Sequence, residues 1–496
     1  MLVRLSREAP MEAPDFKPIT GVSSPVVEEV RTVESSSSWW TVFVDAFRGT
    51  GGDPTKGPLG RAIVLLAVPM VLETVLESVF AVVDILFVSR LGDAAVAAVG
   101  LTESILTVIY TVAMGLSIGV TALVARRTGE GDPDGGARGA VQAIILGAVL
   151  SAAFGVVGVI WSAEMLRVLG AGEDVVATSL VYTQLMLGSN AVIVLLFLIN
   201  AAFRGAGDAA IAMRVLTIAN AVNIVLDPVL IFGWGPFPEL GLEGAAIATI
   251  IGRGLAVVIQ FYGLLKLGRH LRVTWEHLVI KLDVMARLIR LSATGTLQTF
   301  IGMASWVGLV RITAEFGAEA LAGYTIAMRV VVFALLPAWG LSNAAATLVG
   351  QGLGAGDPDR AERATWIAGK MNFYFLGAVG ILFFLFAPAI VSLFGGTTEA
   401  SDHAIACLQI VSAGFFFYAY GLVLTAAFNG AGDVWTPTII NFFCFWLWQI
   451  PLAWALAFPG GLGADGVFIA ITVSFSTLAV VSGIWFKRGK WKEVDV

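Results

Sequence analysis

The residues best able to do chemistry in this chain are carboxylates placed where a carboxylate is costly. The run PMVLETVLESVFAVVDILFVSR (69–90) is apolar apart from Glu73, Glu77, Asp84 and a few hydroxyls. If the run is helical, at about 100° per residue, these acids project within about 40° of one another. A charge at the centre of a membrane-spanning helix costs roughly 2.5–3.5 kcal/mol, so that face must line a cavity or meet a polar partner. The run RVLTIANAVNIVLDPVL (214–230) supplies one: Asn220, Asn223 and Asp227 share one face, and Pro228 follows. Proline leaves a carbonyl one turn back without its amide donor, free to serve a cation or another donor. Glu103 and Thr249 lie in two further apolar runs, at depths that let them converge with Asp84 and Asp227. Such a group can take up a proton or neutralise Na⁺, and exchange it for a cationic substrate. The structural reading is an acid hydrogen-bonded to Asn or Thr that only fixes helix packing.

Two arginines also fall within apolar runs. Arg329 either pairs with a carboxylate across a cavity or snorkels, and Arg253 is expected to meet nearby carbonyls or one of the acids. The aromatic runs GFFFYAYGLVLTAAF (414–428) and FFCFWLWQIPLAW (442–454) could wall a site for cationic or apolar compounds, or simply pack and face lipid. Cys407 and Cys444 sit in apolar runs, and His270, His277 and His403 are scattered, so neither a disulfide framework nor a metal site is expected. No cofactor is expected beyond H⁺ or Na⁺ as a coupling ion.

The elements that must position these groups are membrane helices. Of 496 residues 57% are hydrophobic and 13% charged, with mean hydropathy +0.86, far too little polar surface to cover a soluble globule. The pattern predicts twelve spans, near 62–89, 94–124, 139–161, 178–203, 211–233, 243–267, 284–314, 319–349, 364–394, 404–428, 434–458 and 465–487. Turn-forming stretches such as GEGDPDGG (129–136), GPFPELG (235–241) and FPGGLG (458–463) separate them. With both termini inside, 25 of the 30 Lys/Arg fall on inner segments or their flanks, as the positive-inside rule requires. The expected organisation is a cytosolic tail over 1–60, a first lobe over 61–267, a connector over 268–283, a second lobe over 284–487 and a tail over 488–496. Within the first tail, WWTVFVDAF (39–47) reads either as an interfacial helix touching lipid through Trp39, Trp40, Phe43 and Phe47, or as flexible chain.

An internal repeat sets the architecture. GDPD at 131–134 recurs at 356–359, GAGD at 205–208 recurs at 430–433, and LGDAAVAA (91–98) resembles FGAEALAG (316–323), all at an offset of 225 residues. Six spans per copy give two lobes of like orientation, related by a pseudo-twofold axis along the membrane normal. The acids do not repeat. The same offset carries Glu73 to Gln298, Glu77 to Gly302, Asp84 to Leu309 and Glu103 to Met328. Around the counterpart of Asp227 stand Trp448, Gln449, Pro451 and Leu452. Acids that were mere packing glue should be needed in both copies, so the asymmetry points to an ion site in the first lobe alone.

These residues resemble the multidrug and toxic compound extrusion (MATE) family over about 60–487. The carriers are VVDILFVSRLG (82–92), FRGAGD (203–208), NIVLDP (223–228), GAAIAT (244–249) and FNGAGD (428–433). The resemblance implies twelve spans in two lobes and export of cationic, amphipathic compounds against Na⁺ or H⁺ entry. In its DinF-like and archaeal-type branch, matched motif by motif, Asp84, Asn223, Asp227 and Thr249 would form the ion site. Pro69 would be a bending point in the first helix, alongside Pro228 in the fifth. Glu73, Glu77, Glu103, Asn220 and Arg329 are candidates for the surrounding cavity. The expectation is therefore an antiporter rather than an enzyme, a monomer in a prokaryotic inner membrane with no nucleic-acid partner. A lipid-linked or other amphipathic-molecule exporter of the same superfamily is the alternative, although an acidic interior disfavours anions. A major-facilitator carrier lacks its basic loop motif here, and a membrane transferase would need Asp-rich Mg²⁺ motifs that GDPD does not supply.

Overall fold

Glycine and aspartate punctuate the chain at matched positions, and the backbone there repeats almost angle for angle. The computed structural model of the protein describes residues 39–49, 57–268, 271–395 and 397–496. Among these, Gly92 and Gly317 both have φ 102°, Gly131 and Gly356 both 72°, and Gly207 and Gly432 87° and 85°. Each pair is 225 residues apart, and each glycine takes a conformation that a Cβ disfavours. Asp132 and Asp357 are matching helix N-caps, their carboxylates accepting from the amides of Gly135 and Arg360 at 2.8 Å, with proline in the first helical position of both. The duplication read in the sequence is thus a duplication of backbone geometry.

The described residues are helical, with no strand among them. Ahead of the lobes lies α1 (Trp39–Arg48). The first lobe comprises α2 (Leu59–Val88), α3 (Asp93–Gly129), α4 (Pro133–Ile160), the short α5 (Ser162–Val168), α6 (Glu173–Gly188), α7 (Asn190–Ala206), α8 (Ala209–Ile231) and α9 (Gly241–Tyr262). The second comprises α10 (Leu282–Ala314), α11 (Ala318–Gly354), α12 (Pro358–Ser392), α13 (Thr398–Ala413), α14 (Phe415–Ala431), α15 (Trp435–Phe442), α16 (Ile450–Ala457) and α17 (Ala464–Lys487), with a π-helical stretch, Phe443–Gln449, joining α15 to α16. α6 with α7 and α13 with α14 each serve as one span, broken at Ser189 and Gly414, again 225 apart, and the second pair is bent by 58°. The same offset relates Trp161, between α4 and α5, to the kink at Phe386 within α12. Each lobe therefore contains six spans. Length and composition pick out ten helices able to cross a membrane and an eleventh in α13–α14, while the 33-residue α10 is long enough but less apolar.

The spans differ from the sequence-derived ones mainly at their ends. α4 and α12 begin at the prolines of the GDPD motifs, because the N-cap aspartate starts the helix at once. α1 settles the reading of 39–47: it is helical, with Trp40, Phe43 and Phe47 exposed and Val42 and Ala46 buried. The Trp39 side chain and the tail before it lie outside the described residues.

Each lobe has its own apolar core, one built around Val88, Leu106, Val194 and Phe203, the other around Leu309, Leu376, Phe415 and Phe468. Lipid offers no hydrophobic force to join helices, so the lobes meet by close backbone approach. Gly115 of α3 lies against Thr296 of α10, Gly129 against the carbonyl of Gln351, and Gly340 of α11 against the backbone of Val71 in α2. Hydrogen bonds add to this seam: Thr74 Oγ1 donates to the Leu336 carbonyl at 3.2 Å, Thr347 Oγ1 to that of Arg204 at 3.2 Å, and Gln351 Nε2 to that of Gly205 at 2.9 Å. All these contacts lie between the helix midpoints and one end, the base that carries α1 and residues 488–496. Asp84 and Glu103 lie in the other half, where the seam is thinner: Thr111 Oγ1, at the midpoint of α3, donates to Met303 Sδ of α10 at 3.2 Å.

Candidate functional site

Five helices of the first lobe carry the polar side chains of the candidate site, most of them buried or half-buried. α2 contributes Glu73, Glu77 and Asp84, α3 Glu103 and Tyr110, α7 Asn200 and Arg204, α8 Asn220, Asn223 and Asp227, and α9 Thr249, Arg253 and Gln260. Helix periodicity keeps the α2 acids on one stripe, but they divide between two clusters according to depth.

The deeper cluster, nearer the base, is organised by Glu73. Its Oε1 accepts from Arg204 Nη1 at 2.7 Å and from Asn200 Nδ2 at 2.9 Å, and Gln260 Nε2 donates in turn to Asn200 Oδ1 at 2.5 Å. Glu73 is buried, at 8% exposure, and this chain of partners ties α2 to α7 and α9. It does not join the Asp84 group. Glu73 was expected to line the cavity; it is a buried ion-pair partner because Arg204 reaches it from the end of α7.

The upper cluster centres on Asp84 and Asp227. Asp227 is fully buried, and Asn223 one turn earlier donates to its Oδ1 at 3.2 Å. Asp84 and Asp227 are close enough to feel each other's charge, and Glu103 and Arg253 act on Asp84 in the same way. Asp84 Oδ1, Asn223 Oδ1 and Asp227 Oδ2 are buried acceptors that no donor among the described residues satisfies. Buried oxygens are seldom left so, and a proton or a small cation is the kind of partner that acceptor-only groups take. Arg253 is the local counter-charge: Nη2 donates to Glu77 Oε1 at 3.1 Å, Nη1 to the Tyr110 hydroxyl at 2.9 Å, and the guanidinium lies 5.1 Å above the Phe80 ring. It meets a first-lobe acid, as expected.

The remaining predicted residues are placed as follows. Asn220 donates to the Leu76 carbonyl at 2.9 Å and so clamps α8 to α2. Thr249 is buried on α9, one turn before Gly252, which packs against Asn223; no hydrogen bond joins Thr249 to the carboxylates. Glu103 is exposed on α3. Arg329 is exposed on α11 and makes no ion pair among the described residues. α2 and α8 run unbroken through Pro69 and Pro228. Sequence reasoning missed Tyr110, Asn200, Arg204 and Gln260. Tyr110 carried a signal, since it follows Glu103 by seven residues and shares its helix face; Arg204 was concealed inside the FRGAGD turn.

In the second lobe the repeat partners of Asp84, Glu103 and Tyr110 are Leu309, Met328 and Leu335. All three border one small space with Tyr324, Tyr418 and Gln449, and no carboxylate or basic side chain lines it. The two lobes thus share geometry but not charge.

The comparisons agree with this architecture. A "Probable multidrug resistance protein NorM" of Thermotoga maritima is 27% identical, over 87% of this chain and 93% of its own length. A "FAD transporter" of Shewanella oneidensis is 25% identical, over 84% and 92%. A solved structure described as the outward-facing conformation of a multidrug resistance MATE family transporter superposes with a TM-score of 0.82 at 26% identity, covering 91% of this chain and 99% of that one. The MatE family profile matches residues 69–229 and 292–455, one stretch in each lobe. This multi-pass membrane protein therefore belongs to the MATE family of transporters.

Proposed function

We propose that the protein is a secondary antiporter that exports small cationic or amphipathic compounds in exchange for H⁺ or Na⁺, with Asp84, Asn223, Asp227 and Thr249 as the coupling-ion site. One observation carries this reading. Two mutually interacting aspartates with unsatisfied buried oxygens stand in the first lobe, at a place whose twin in the second lobe carries no charged side chain. An ion that binds there neutralises charge in one lobe only, which gives a rocking transporter two states of different electrostatic energy. A membrane potential of 100 mV acting on one charge supplies about 2.3 kcal/mol per ion moved. Lysine and arginine crowd the base, so the positive-inside rule puts that end in the cytoplasm and the carboxylate half toward the outside of an inner membrane. The lobes, joined mainly from the helix midpoints to the base, then correspond to an outward-open state, and Pro69 and Pro228 are the places where α2 and α8 can bend. The names of the NorM relatives support multidrug export, and that of the Shewanella relative keeps larger amphipathic cargo in view. The chain is read as a monomer without a nucleic-acid partner.

The test is efflux from proteoliposomes under separately imposed pH and Na⁺ gradients, for the parent and for Asp84→Asn and Asp227→Asn. Both variants are expected to fold and insert but to lose gradient-driven efflux. Undiminished export by both would remove the ion site from Asp84 and Asp227.

A further inference from the structure

Residues 488–496 leave α17 and turn back beneath the base, where they are attached to both lobes. On the second lobe the attachment is deep. Trp491 is fully buried, stacks on Phe486 with centroids 4.5 Å apart and planes 10° from parallel, and donates its indole N–H to the Phe486 carbonyl at 2.9 Å. It shares a cluster with Val349, Leu353 and Phe428. Lys492 Nζ follows, 2.6 Å from Glu362 Oε2 and 3.2 Å from Asp359 Oδ1. Next the segment crosses to the first lobe. Arg126 Nη2, in the last turn of α3, donates to the Val494 carbonyl at 2.7 Å, and Arg127 Nη2 donates to the main-chain oxygen of Val496 at 3.4 Å. Val496 itself is buried against Gly432 at the end of α14.

The two attachments differ in kind. The second-lobe side combines an aromatic stack, burial and an ion pair, whereas the first-lobe side rests on guanidinium bonds to main-chain oxygens. Glu130 lies within reach of both arginines, 2.7 Å from Arg127 and 3.7 Å from Arg126. When the carbonyls withdraw, the guanidiniums keep a carboxylate partner, so release strands no charge. A segment bonded to both lobes at the joined end must let go of one when that end opens.

We propose that residues 489–496 form a strap that stays riveted to the second lobe through Trp491 and holds the first lobe through Arg126 and Arg127, thereby setting the balance between the base-closed and base-open states. Arg126 and Arg127 are positioning residues in this scheme; neither touches the carboxylate site. The strap bears on how access alternates and so rests on the transport reading, but its test needs no substrate or ion.

Spin labels on Pro133→Cys and Ala355→Cys, exposed sites at the base in opposite lobes, report lobe separation by pulsed dipolar spectroscopy in nanodiscs. The native Cys407 and Cys444 are buried and stay silent. Arg126→Met with Arg127→Met, and separately Trp491→Ala, are each expected to raise the base-open population on the order of tenfold, the shift that losing one charge-assisted hydrogen bond brings. Trp491→Phe, which keeps a ring on Phe486, should stay near the parent. Joining Trp491→Ala to the arginine changes should add little, since both act through one strap. Unchanged distance distributions in folded, monodisperse variants overturn the proposal, and so does a lower melting temperature for Trp491→Ala with no change in distances. If the parent shows no gradient-driven efflux while distances still respond, the transport reading fails and the strap stands.

Discussion

Arg253 of α9 donates to the Glu77 carboxylate of α2 at 3.1 Å, but the two partners depend on each other unequally. The Arg253 side chain is 10% exposed and keeps Tyr110 and the Phe80 ring if Glu77 loses its charge, whereas the Glu77 side chain is 37% exposed and has no second cation among the described residues. Glu77→Gln should therefore cost no more than about 1 kcal/mol. Arg253→Gln also removes the counter-charge of Asp84 and Glu103, and should cost about 2–3 kcal/mol, less than a fully buried pair because Glu77 is partly exposed. Thermal unfolding in detergent gives the ranking; a larger loss for Glu77→Gln would show that Arg253 does not organise the cluster.

The Glu73 cluster predicts a sharper asymmetry. Glu73 Oε2 is buried and accepts from no described residue, so Arg204→Met leaves a buried carboxylate with Asn200 as its remaining partner among them. A loss of about 3 kcal/mol is expected, against about 1 kcal/mol for Glu73→Gln, which keeps an acceptor toward Asn200 and Arg204. The double variant should lose less than the sum. Strict additivity of the melting shifts would mean that the two side chains are not energetically paired.

What could be read in the sequence was whatever recurs or is locally periodic. GDPD and GAGD fixed the 225-residue offset because glycine and aspartate at helix ends answer to local backbone demands. The placement of Asp84 and Asp227 was legible because three acids on one stripe of an apolar helix have few places to go. The partners were not legible. Glu73 lies 131 residues from Arg204 and Glu77 lies 176 from Arg253, and no local rule pairs residues so remote. Arg329 is the converse case. Interrupting an apolar run, it reads equally as the partner of a carboxylate across a cavity or as a snorkelling chain, and it is exposed on α11 with no ion pair among the described residues.

Gly340 offers a test of the seam. A Cβ there would fall 2.7 Å from Val71 N and 2.8 Å from Val71 Cα, atoms of the opposite lobe's backbone. Gly340→Ala should force α11 and α2 apart and reduce both thermal stability and transport. Gly302→Ala, on α10 with nothing near its Cβ, should leave transport intact and gain up to about 1 kcal/mol from helix propensity. Equal effects from the two alanines would mean that close approach at Val71 is not what holds this part of the seam.

The matched glycines allow a prediction in which one lobe serves as control for the other. Gly207 and Gly432 end α7 and α14 in the left-handed region, and the amides behind them make the same bonds, Asp208 to the Phe203 carbonyl at 2.8 Å and Asp433 to that of Phe428 at 3.0 Å. Alanine in that backbone conformation costs roughly 1–2 kcal/mol, and Gly207→Ala should cost about that much. At Gly432 the new methyl would also collide with the Val496 side chain, so Gly432→Ala should cost more. Truncating the obstacle isolates the difference: in a Val496→Ala background the penalty at Gly432 should fall to about that conformational cost. Melting temperatures of the four variants read this directly. An excess at Gly432 that survives Val496→Ala would place its origin in α14 itself rather than in the segment folded beneath it.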